Sequence, residues 1–144
     1  MRKFSLIIST VLIFAMLSGC QASRTAVDAD TFWAKAEEAG YTLYDATSNY
    51  SADKGVEAVL AASISSSYDI KFEVVSTIEQ AIAAYEENKA DFEDLIGSST
   101  ANYSSVSVGN YSYYKATANK RYYVISRTSN TFVFIMHPMI IKTK

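Results

Sequence analysis

The sequence predicts a two-layer α+β domain, in which N-terminal helices pack on one face of a mostly antiparallel sheet that ends in a four-stranded meander. Three observations support this fold class. Apolar residues at helical spacing dominate the first half of the chain, alternating apolar residues dominate the second half, and turn dipeptides interrupt the second half about every ten residues. Helices that precede a meander are typical of domains in which helices cover one side of a sheet.

The first segment of the chain predicts export across a membrane. Arg2 and Lys3 precede an apolar run over residues 4–17, which only two serines and one threonine interrupt. Such a run matches the apolar region of a secretory signal peptide, and it is shorter than the ~20 residues that span a bilayer. A buried core helix is the alternative, but such a helix does not usually begin with two cations at the initiator methionine.

The apolar run ends in Leu17-Ser18-Gly19-Cys20, and Cys20 is the only cysteine of the chain. These four residues resemble the lipobox of bacterial lipoproteins, in which signal peptidase II cuts before the cysteine. The resemblance implies a cleaved signal peptide over residues 1–19 and a diacylglyceryl group on the Cys20 sulfur, which anchors the protein to the outer side of the cell membrane. A thiol is a suitable nucleophile for this modification, and two acyl chains suffice for stable anchoring. With Cys20 lipidated, a disulfide and a thiolate metal site are excluded.

A polar stretch follows the cysteine and predicts a tether. Residues 20–29 are mostly small and polar, a composition that is typical of linkers. The remaining residues, 30–144, have the size of one ordinary domain. We therefore expect a lipidated tether over residues 20–29 and a single α+β domain over residues 30–144.

The first half of the domain predicts two short helices with a strand between them. Asp30-Thr31 is suited to cap a helix that Gly40 ends, because glycine is favoured just beyond the C-terminus of a helix. Residues 41–44 then predict a short strand. The apolar spacing over residues 56–62 predicts a second helix, capped by Asp53.

The middle of the chain predicts a strand that leads into the longest helix. Residues 68–75 alternate between apolar and mostly polar side chains, as a half-buried strand does. Ser76 and Glu79 have the spacing of a capping box at the start of the helix, and Gly97 marks its end. The acidic residues in the second half of this helix, mostly off its apolar stripe, are Glu86, Glu87, Asp91, Glu93 and Asp94.

The second half of the chain predicts the meander. Its strands are expected over residues 103–108, 111–117, 121–127 and 131–137. Gly109-Asn110 is a strong hairpin signal, and Asn119-Lys120 and Ser129-Asn130 separate the later strands. Because each turn is two residues long, each strand should pair with the next one in antiparallel fashion.

The charges are divided unevenly along the chain. Residues 20–94 contain all 15 acidic residues and five basic ones, whereas residues 95–144 contain six basic residues and no acidic one. The chain without its first 19 residues is therefore negative overall, which argues against a nucleic-acid partner.

No motif with catalytic spacing occurs in the chain. His137 is the only histidine, so a two-histidine metal site is excluded and no cysteine is left for it to activate. The acidic residues of the longest helix are expected to form a solvated face, and no known nucleotide or calcium motif is present. The sequence thus favours a non-enzymatic protein without metal or cofactor. The alternative is a small cell-envelope hydrolase with paired carboxylates, such as Asp45 or Asp69 with an acid of that helix.

A candidate binding face lies in the meander, where six of the 11 tyrosines fall between positions 103 and 123. The candidate residues are Tyr111, Tyr113, Lys115, Arg121, Tyr123 and Arg127. The first three share one side of a strand, and the last three share one side of the next. If the two sides coincide, they form a surface without a carboxylate whose tyrosines and arginines are frequent interface anchors. The alternative is that the tyrosines only reflect strand propensity.

The domain also resembles small lipoproteins of Gram-positive gut bacteria, and that resemblance implies no particular activity. An early Phe-Trp helix, the segment GYTLYDAT and the closing strand NTFVFI carry it. We therefore expect a lipid-anchored extracytoplasmic domain of unknown ligand that binds an envelope protein, a glycan or a polyanion through its Tyr/Lys/Arg face. An accessory subunit of a membrane complex is a further alternative, which would show a contiguous apolar patch.

Overall fold

The computed structural model describes residues 23–50, 55–64, 68–97 and 102–138, with the backbone alone at residues 68, 69, 137 and 138. The predicted signal peptide, Cys20 and Asp53 lie outside these ranges. The elements are α1 (Ala29–Glu38), β1 (Thr42–Asp45), a 3-10 turn (Thr47–Asn49), β2 (Val56–Ile64), β3 (Tyr68–Val75), α2 (Ile78–Ile96), β4 (Asn102–Val108), β5 (Tyr111–Ala118), β6 (Arg121–Thr128) and β7 (Thr131–Pro138).

The strands form one seven-stranded sheet in the order β1-β2-β3-β7-β6-β5-β4, and every neighbouring pair is antiparallel. The chain lays down β1 to β3 from one edge, crosses along α2 to the opposite edge, and returns through β4 to β7 until β7 pairs with β3. The predicted α+β class and the four-stranded meander are thus confirmed.

The two helices pack on opposite faces of the sheet. The ring of Phe32 in α1 stacks on that of Phe72 in β3, with the centroids 4.5 Å apart. On α2, Ala81 packs with Val75, which is also in β3, and with Phe132 of β7. Because side chains three residues apart on a strand point to opposite faces, Phe72 and Val75 mark the two sides. The sequence led us to expect both helices on one face of the sheet. That expectation is wrong, because α1 and α2 lie on opposite faces.

The main core lies between α2 and the last strands. Its helical side chains are Tyr85, Phe92 and Ile96, and the Phe92 ring lies 5.3 Å from that of Tyr123 in β6. The sheet side of this core includes Ala116 and Ala118 with Tyr114, Tyr123 and Ile125. The two alanines have no side-chain atoms beyond Cβ, so the large rings of α2 can pack directly against β5 at these positions.

The helix predicted over residues 56–62 is wrong, because Val56–Ile64 is the strand β2. β2 lies between β1 and β3, and it is covered on both faces over much of its length. Val59 and Leu60 are both buried although they point to opposite sides. A strand covered on both faces has apolar residues in consecutive positions, and this pattern also satisfies the spacing of a helix.

Both predicted helix caps are displaced along the chain. The cap of α1 is Asp28 and not Asp30-Thr31, since the Asp28 carboxylate accepts a hydrogen bond from the Thr31 N–H at 2.7 Å. In α2 the capping box is formed by Thr77 and Gln80, one residue after the predicted pair Ser76 and Glu79. The predicted end at Gly97 is confirmed, because Gly97 is the C-cap and donates to the Glu93 carbonyl at 2.9 Å.

Candidate functional site

The six residues of the predicted binding face are divided between the two faces of the sheet. Ser112, Tyr114, Ala116 and Ala118 of β5 are buried beneath α2, so the alternate residues Tyr111, Tyr113 and Lys115 point to the other side. In the β5–β6 ladder Ala116 lies opposite Tyr123, and Ser112 lies opposite Arg127. Residues that are opposite in a ladder share a face. The two sets of residues therefore do not coincide on one face, as a single Tyr/Lys/Arg surface would require.

Tyr123 and Arg127 lie beneath α2 and are each only 3% exposed. The Arg127 guanidinium donates to Ser112 Oγ and to the Ser129 carbonyl, at 3.1 Å each, and its Nε has no hydrogen-bond partner in the described part of the chain. Burial lowers the pKa of Arg127. Arg121 lies on the same side of β6 as Tyr123 and Arg127, but it is exposed because it is the first residue of the strand. Its Nη1 lies 3.8 Å from Met136 Sδ.

We define the open face as the surface of β4, β5 and β6 that points away from α2. On this side of the sheet α1 packs on β1, β2 and β3. The side chains of the open face include Tyr111, Tyr113, Lys115 and Tyr122, all partly exposed, together with the exposed Val106 and Val108. The sequence interpretation missed Tyr122, which lies opposite Thr117 across the β5–β6 turn. The open face thus keeps three of the six predicted residues.

Aromatic rings and cations alternate along the open face. The rings of Tyr111 and Tyr113 are stacked with centroids 6.5 Å apart and planes 12° apart. The guanidinium carbon of Arg24 lies 3.6 Å from the centroid of the Tyr111 ring. At the other end, Lys115 Nζ lies 5.0 Å from the centroid of the Tyr122 ring. Such cation–π contacts hold the long basic side chains against the sheet.

The open face is suited to anionic or carbohydrate groups. A hydrogen bond with Tyr122 raises the pKa of Lys115, so the ammonium stays charged at neutral pH. Desolvation by burial raises the pKa of Tyr113, so its phenol stays neutral. No acidic residue occurs after Asp94, and the strands of the open face therefore carry no carboxylate. Beside Lys115 is a shallow hollow of about 290 Å³, whose lining includes Asn102, Ser104 and Thr117.

A separate cleft between α2 and β3 brings together carboxylates from two elements. It has a volume of about 320 Å³, and its lining includes Glu73 of β3 and Glu87 of α2. Glu73 is buried and forms an ion pair with Lys71, with Oε2 and Nζ 2.9 Å apart. Lys71 Nζ also lies 4.6 Å from the centroid of the Tyr50 ring. Glu87 is one of the helix acids that the sequence suggested for such a pair, but its partner in the cleft is Glu73 and not Asp45 or Asp69.

Asp45 lines a different hollow, of about 290 Å³, together with Asp30 and Glu57. Its carboxylate accepts a hydrogen bond from the Thr47 N–H at 2.9 Å, and hydrogen bonding with Thr47 lowers the pKa of Asp45. The side chain of Asp69 lies outside the described part. Within the described residues, no group of three or more acidic, histidine or cysteine side chains is arranged to hold a metal ion.

No protein-family model, no curated protein and no solved structure matches this chain. Within the described ranges neither helix is both long enough and apolar enough to cross a membrane. The surfaces of the domain itself are therefore what indicates its function.

Proposed function

We propose that this chain is a lipid-anchored binding domain on the outer side of the cell membrane, and that the open face binds its partner. The lipid anchor on Cys20 is part of the proposal and is supported by the sequence Leu17-Ser18-Gly19-Cys20. The observation that carries the binding function is a sheet surface with tyrosines and cations but no carboxylate, which neither helix of the described residues covers.

The chemistry of the open face favours an anionic glycan polymer of the cell envelope. A tyrosine ring offers an apolar face to the C–H groups of a sugar, while its hydroxyl remains available for hydrogen bonds. Lys115 supplies a positive charge beside the Tyr122 ring, and the absence of acidic residues removes repulsion of an anion. An envelope protein with an acidic surface would satisfy the same charges and is the alternative partner.

Co-sedimentation of the full chain in detergent with insoluble cell-wall material tests this proposal. Wall material that carries anionic polymers is compared with material from which they have been removed. We expect binding to the first only, and about tenfold weaker binding for Tyr113→Ala or Lys115→Ala, which corresponds to ~1.4 kcal/mol. The matched controls are Tyr44→Ala and Lys35→Ala, exposed residues away from the open face. Equal binding by all four variants would exclude the open face.

A second candidate function is hydrolysis of an envelope glycan in the cleft between α2 and β3, because Glu73 and Glu87 both line it. Glu73 is held by Lys71, so Glu87 is the carboxylate left for proton transfer. Release of reducing ends from cell-wall glycans measures this activity. If Glu87→Gln releases as much as the unmodified chain, the cleft is not a catalytic site.

A further inference from the structure

The chain is fastened to the sheet only four residues after Cys20. The backbone N–H of Arg24 donates to Asn110 Oδ1 at 3.0 Å, and Asn110 Nδ2 donates to the Arg24 carbonyl at 2.7 Å. The Arg24 guanidinium lies over the Tyr111 ring as a third contact. Two backbone hydrogen bonds to one side chain fix both the position and the direction of the segment. The tether expected over residues 20–29 is thus attached to the domain at Arg24.

The attachment point belongs to a connected end of the sheet. The Ser129 N–H donates to the Asn110 carbonyl at 2.8 Å, which joins the β4–β5 turn to the β6–β7 turn. Asn130 Nδ2 donates to the Val75 carbonyl at 2.8 Å, which joins the second turn to the end of β3. We call this end of the sheet the near end, and the β5–β6 turn at Asn119-Lys120 marks the far end.

From these contacts we propose that the domain stands on the membrane in one orientation, with the near end against the lipid head groups. The inference rests on the proposed lipidation of Cys20. Four residues extend over at most ~14 Å, whereas the eight residues of β5 span about 27 Å. The link between lipid and sheet is therefore shorter than the sheet itself. The near end must stay close to the bilayer, and the far end points away from it.

The near-end turns and the distribution of acids along α2 agree with this orientation. The near-end turns contain Gly109, Asn110, Ser129 and Asn130, which are uncharged, with the cation Arg24 beside them. The α2 helix begins beside the near end, because the Ser76 that precedes it is bonded to Gly55 next to β2. Five of the six acids of α2 lie from Glu86 onward and so towards the far end. An anionic head-group layer repels these carboxylates, and this repulsion favours the same orientation.

The orientation determines how a ligand reaches the open face. With the near end on the membrane, β5 and β6 run away from the bilayer and the open face looks sideways. Tyr111 and Arg24 then form its border at the head groups, while Lys115 lies farther out along β5. A polymer that runs alongside the membrane can therefore meet the open face without lifting the domain.

Fluorescence quenching by spin-labelled head groups tests the orientation on the full, lipidated chain. Ile78→Cys and Leu95→Cys place a single free thiol at the two ends of α2, about 26 Å apart. The two original side chains are 46% and 58% exposed, so the positions are matched in chemistry and access. In phosphatidylglycerol-containing vesicles we expect a fluorescent label on the thiol at position 78 to be quenched at least threefold more than the same label at position 95.

Release of the attachment provides the control. Asn110→Ala removes both hydrogen bonds to the Arg24 backbone and should reduce the difference between the two labels. Asn88→Ala, whose side chain donates to the Ala84 carbonyl within α2, should leave it unchanged. Flotation with the vesicles that depends on Cys20, combined with equal quenching at the two positions, would refute the orientation alone. If the unmodified chain does not float with the vesicles, the lipid anchor is refuted and the orientation with it.

Discussion

Gly55 allows the start of α2 to pack against the start of β2, and its replacement should disrupt the capping box. Gly55 has a φ of +67°, and a Cβ built on it would lie 2.6 Å from both Gln80 Oε1 and Ser76 Oγ. Gln80 Oε1 accepts hydrogen bonds from the Thr77 N–H at 3.2 Å and from Ser76 Oγ at 2.8 Å. In Gly55→Ala the Gln80 side chain must move away, so these bonds are lost together with the favourable glycine backbone.

Gly109 provides a comparison for the free energy of unfolding that Gly55→Ala should cost. Gly109 has a φ of +57°, but a Cβ there would meet no atom within 4 Å. Gly109→Ala should therefore cost only the backbone strain of about 1 kcal/mol. Gly55→Ala should cost about 2 kcal/mol, because loss of a cap adds roughly 1 kcal/mol. Urea denaturation with an unchanged m-value measures both free energies of unfolding.

A double-mutant cycle isolates the cause. In a Gln80→Ala background the capping bond is already absent and only the contact with Ser76 Oγ remains, so Gly55→Ala should then cost less than it does in the unmodified chain. Two outcomes would refute the contact with Gln80 as the source of the cost. One is an equal cost of Gly55→Ala in the two backgrounds, and the other is a cost equal to that of Gly109→Ala in the unmodified chain.

Three further predictions concern the core and the charges beneath α2. Arg127→Met should raise the free energy of unfolding by about 1 kcal/mol in urea, because the buried guanidinium has no ion pair in the described part of the chain; a loss above 2 kcal/mol would contradict this. Burial alone would lower the pKa of Lys71, but hydrogen bonds with Tyr50 and Glu73 outweigh it and raise the pKa above its ordinary 10.5. The folded state therefore holds that proton more tightly, so the stability that charged Lys71 contributes is complete below about pH 10.5 and is lost as the pH rises through the pKa of the folded state. Between pH 7 and pH 11, urea denaturation should show a smaller loss in the free energy of unfolding for Lys71→Met than for the unmodified chain. Phe72→Ala should lower the free energy of unfolding by about 3–5 kcal/mol in the same assay, because a ring 2% exposed and stacked on α1 is removed, and a cost below 1 kcal/mol would show that α1 does not hold this face.

The sequence was sufficient for the elements whose signals are local. The four strands of the meander, the strand β3, and the end of α2 at Gly97 follow from alternation, turn residues and a glycine cap. Asn119 and Lys120 both have positive φ, as a two-residue hairpin turn of this kind requires. These features depend on residues close together in the chain, and so they can be recognised without knowledge of the partner strand.

The failures concern contacts between distant segments. β2 was interpreted as a helix because its burial depends on β1 and β3 beside it and on α1 packed against it, none of which is encoded within the strand. The division of the helices between two faces depends on which side of the sheet α2 crosses. The attachment of Arg24 joins residues 86 positions apart, and no local pattern marks it. The error at the binding face is different, because the signal was present.

The two-residue turn at Asn119-Lys120 fixes which residues of β5 and β6 share a side. Ala118 must lie opposite Arg121, so Thr117 lies opposite Tyr122, and Ala116 lies opposite Tyr123. Applied to the sequence, this rule would have assigned Tyr122 to the side of Tyr113 and Lys115, and would have assigned Tyr123 and Arg127 to the opposite one.

The contacts divide the tyrosines of the open face into two roles. The ring of Tyr111 is covered by the Arg24 guanidinium at 3.6 Å, in the same contact that attaches the chain to the near end. A ligand therefore cannot use that side of the Tyr111 ring unless it displaces Arg24. The rings that stay free of the attachment are those of Tyr113 and Tyr122, which lie on either side of Lys115. The attachment and the proposed binding residues thus lie along the same strand but are different residues, and for this reason substitutions at Tyr113 and at Asn110 can separate the two proposals.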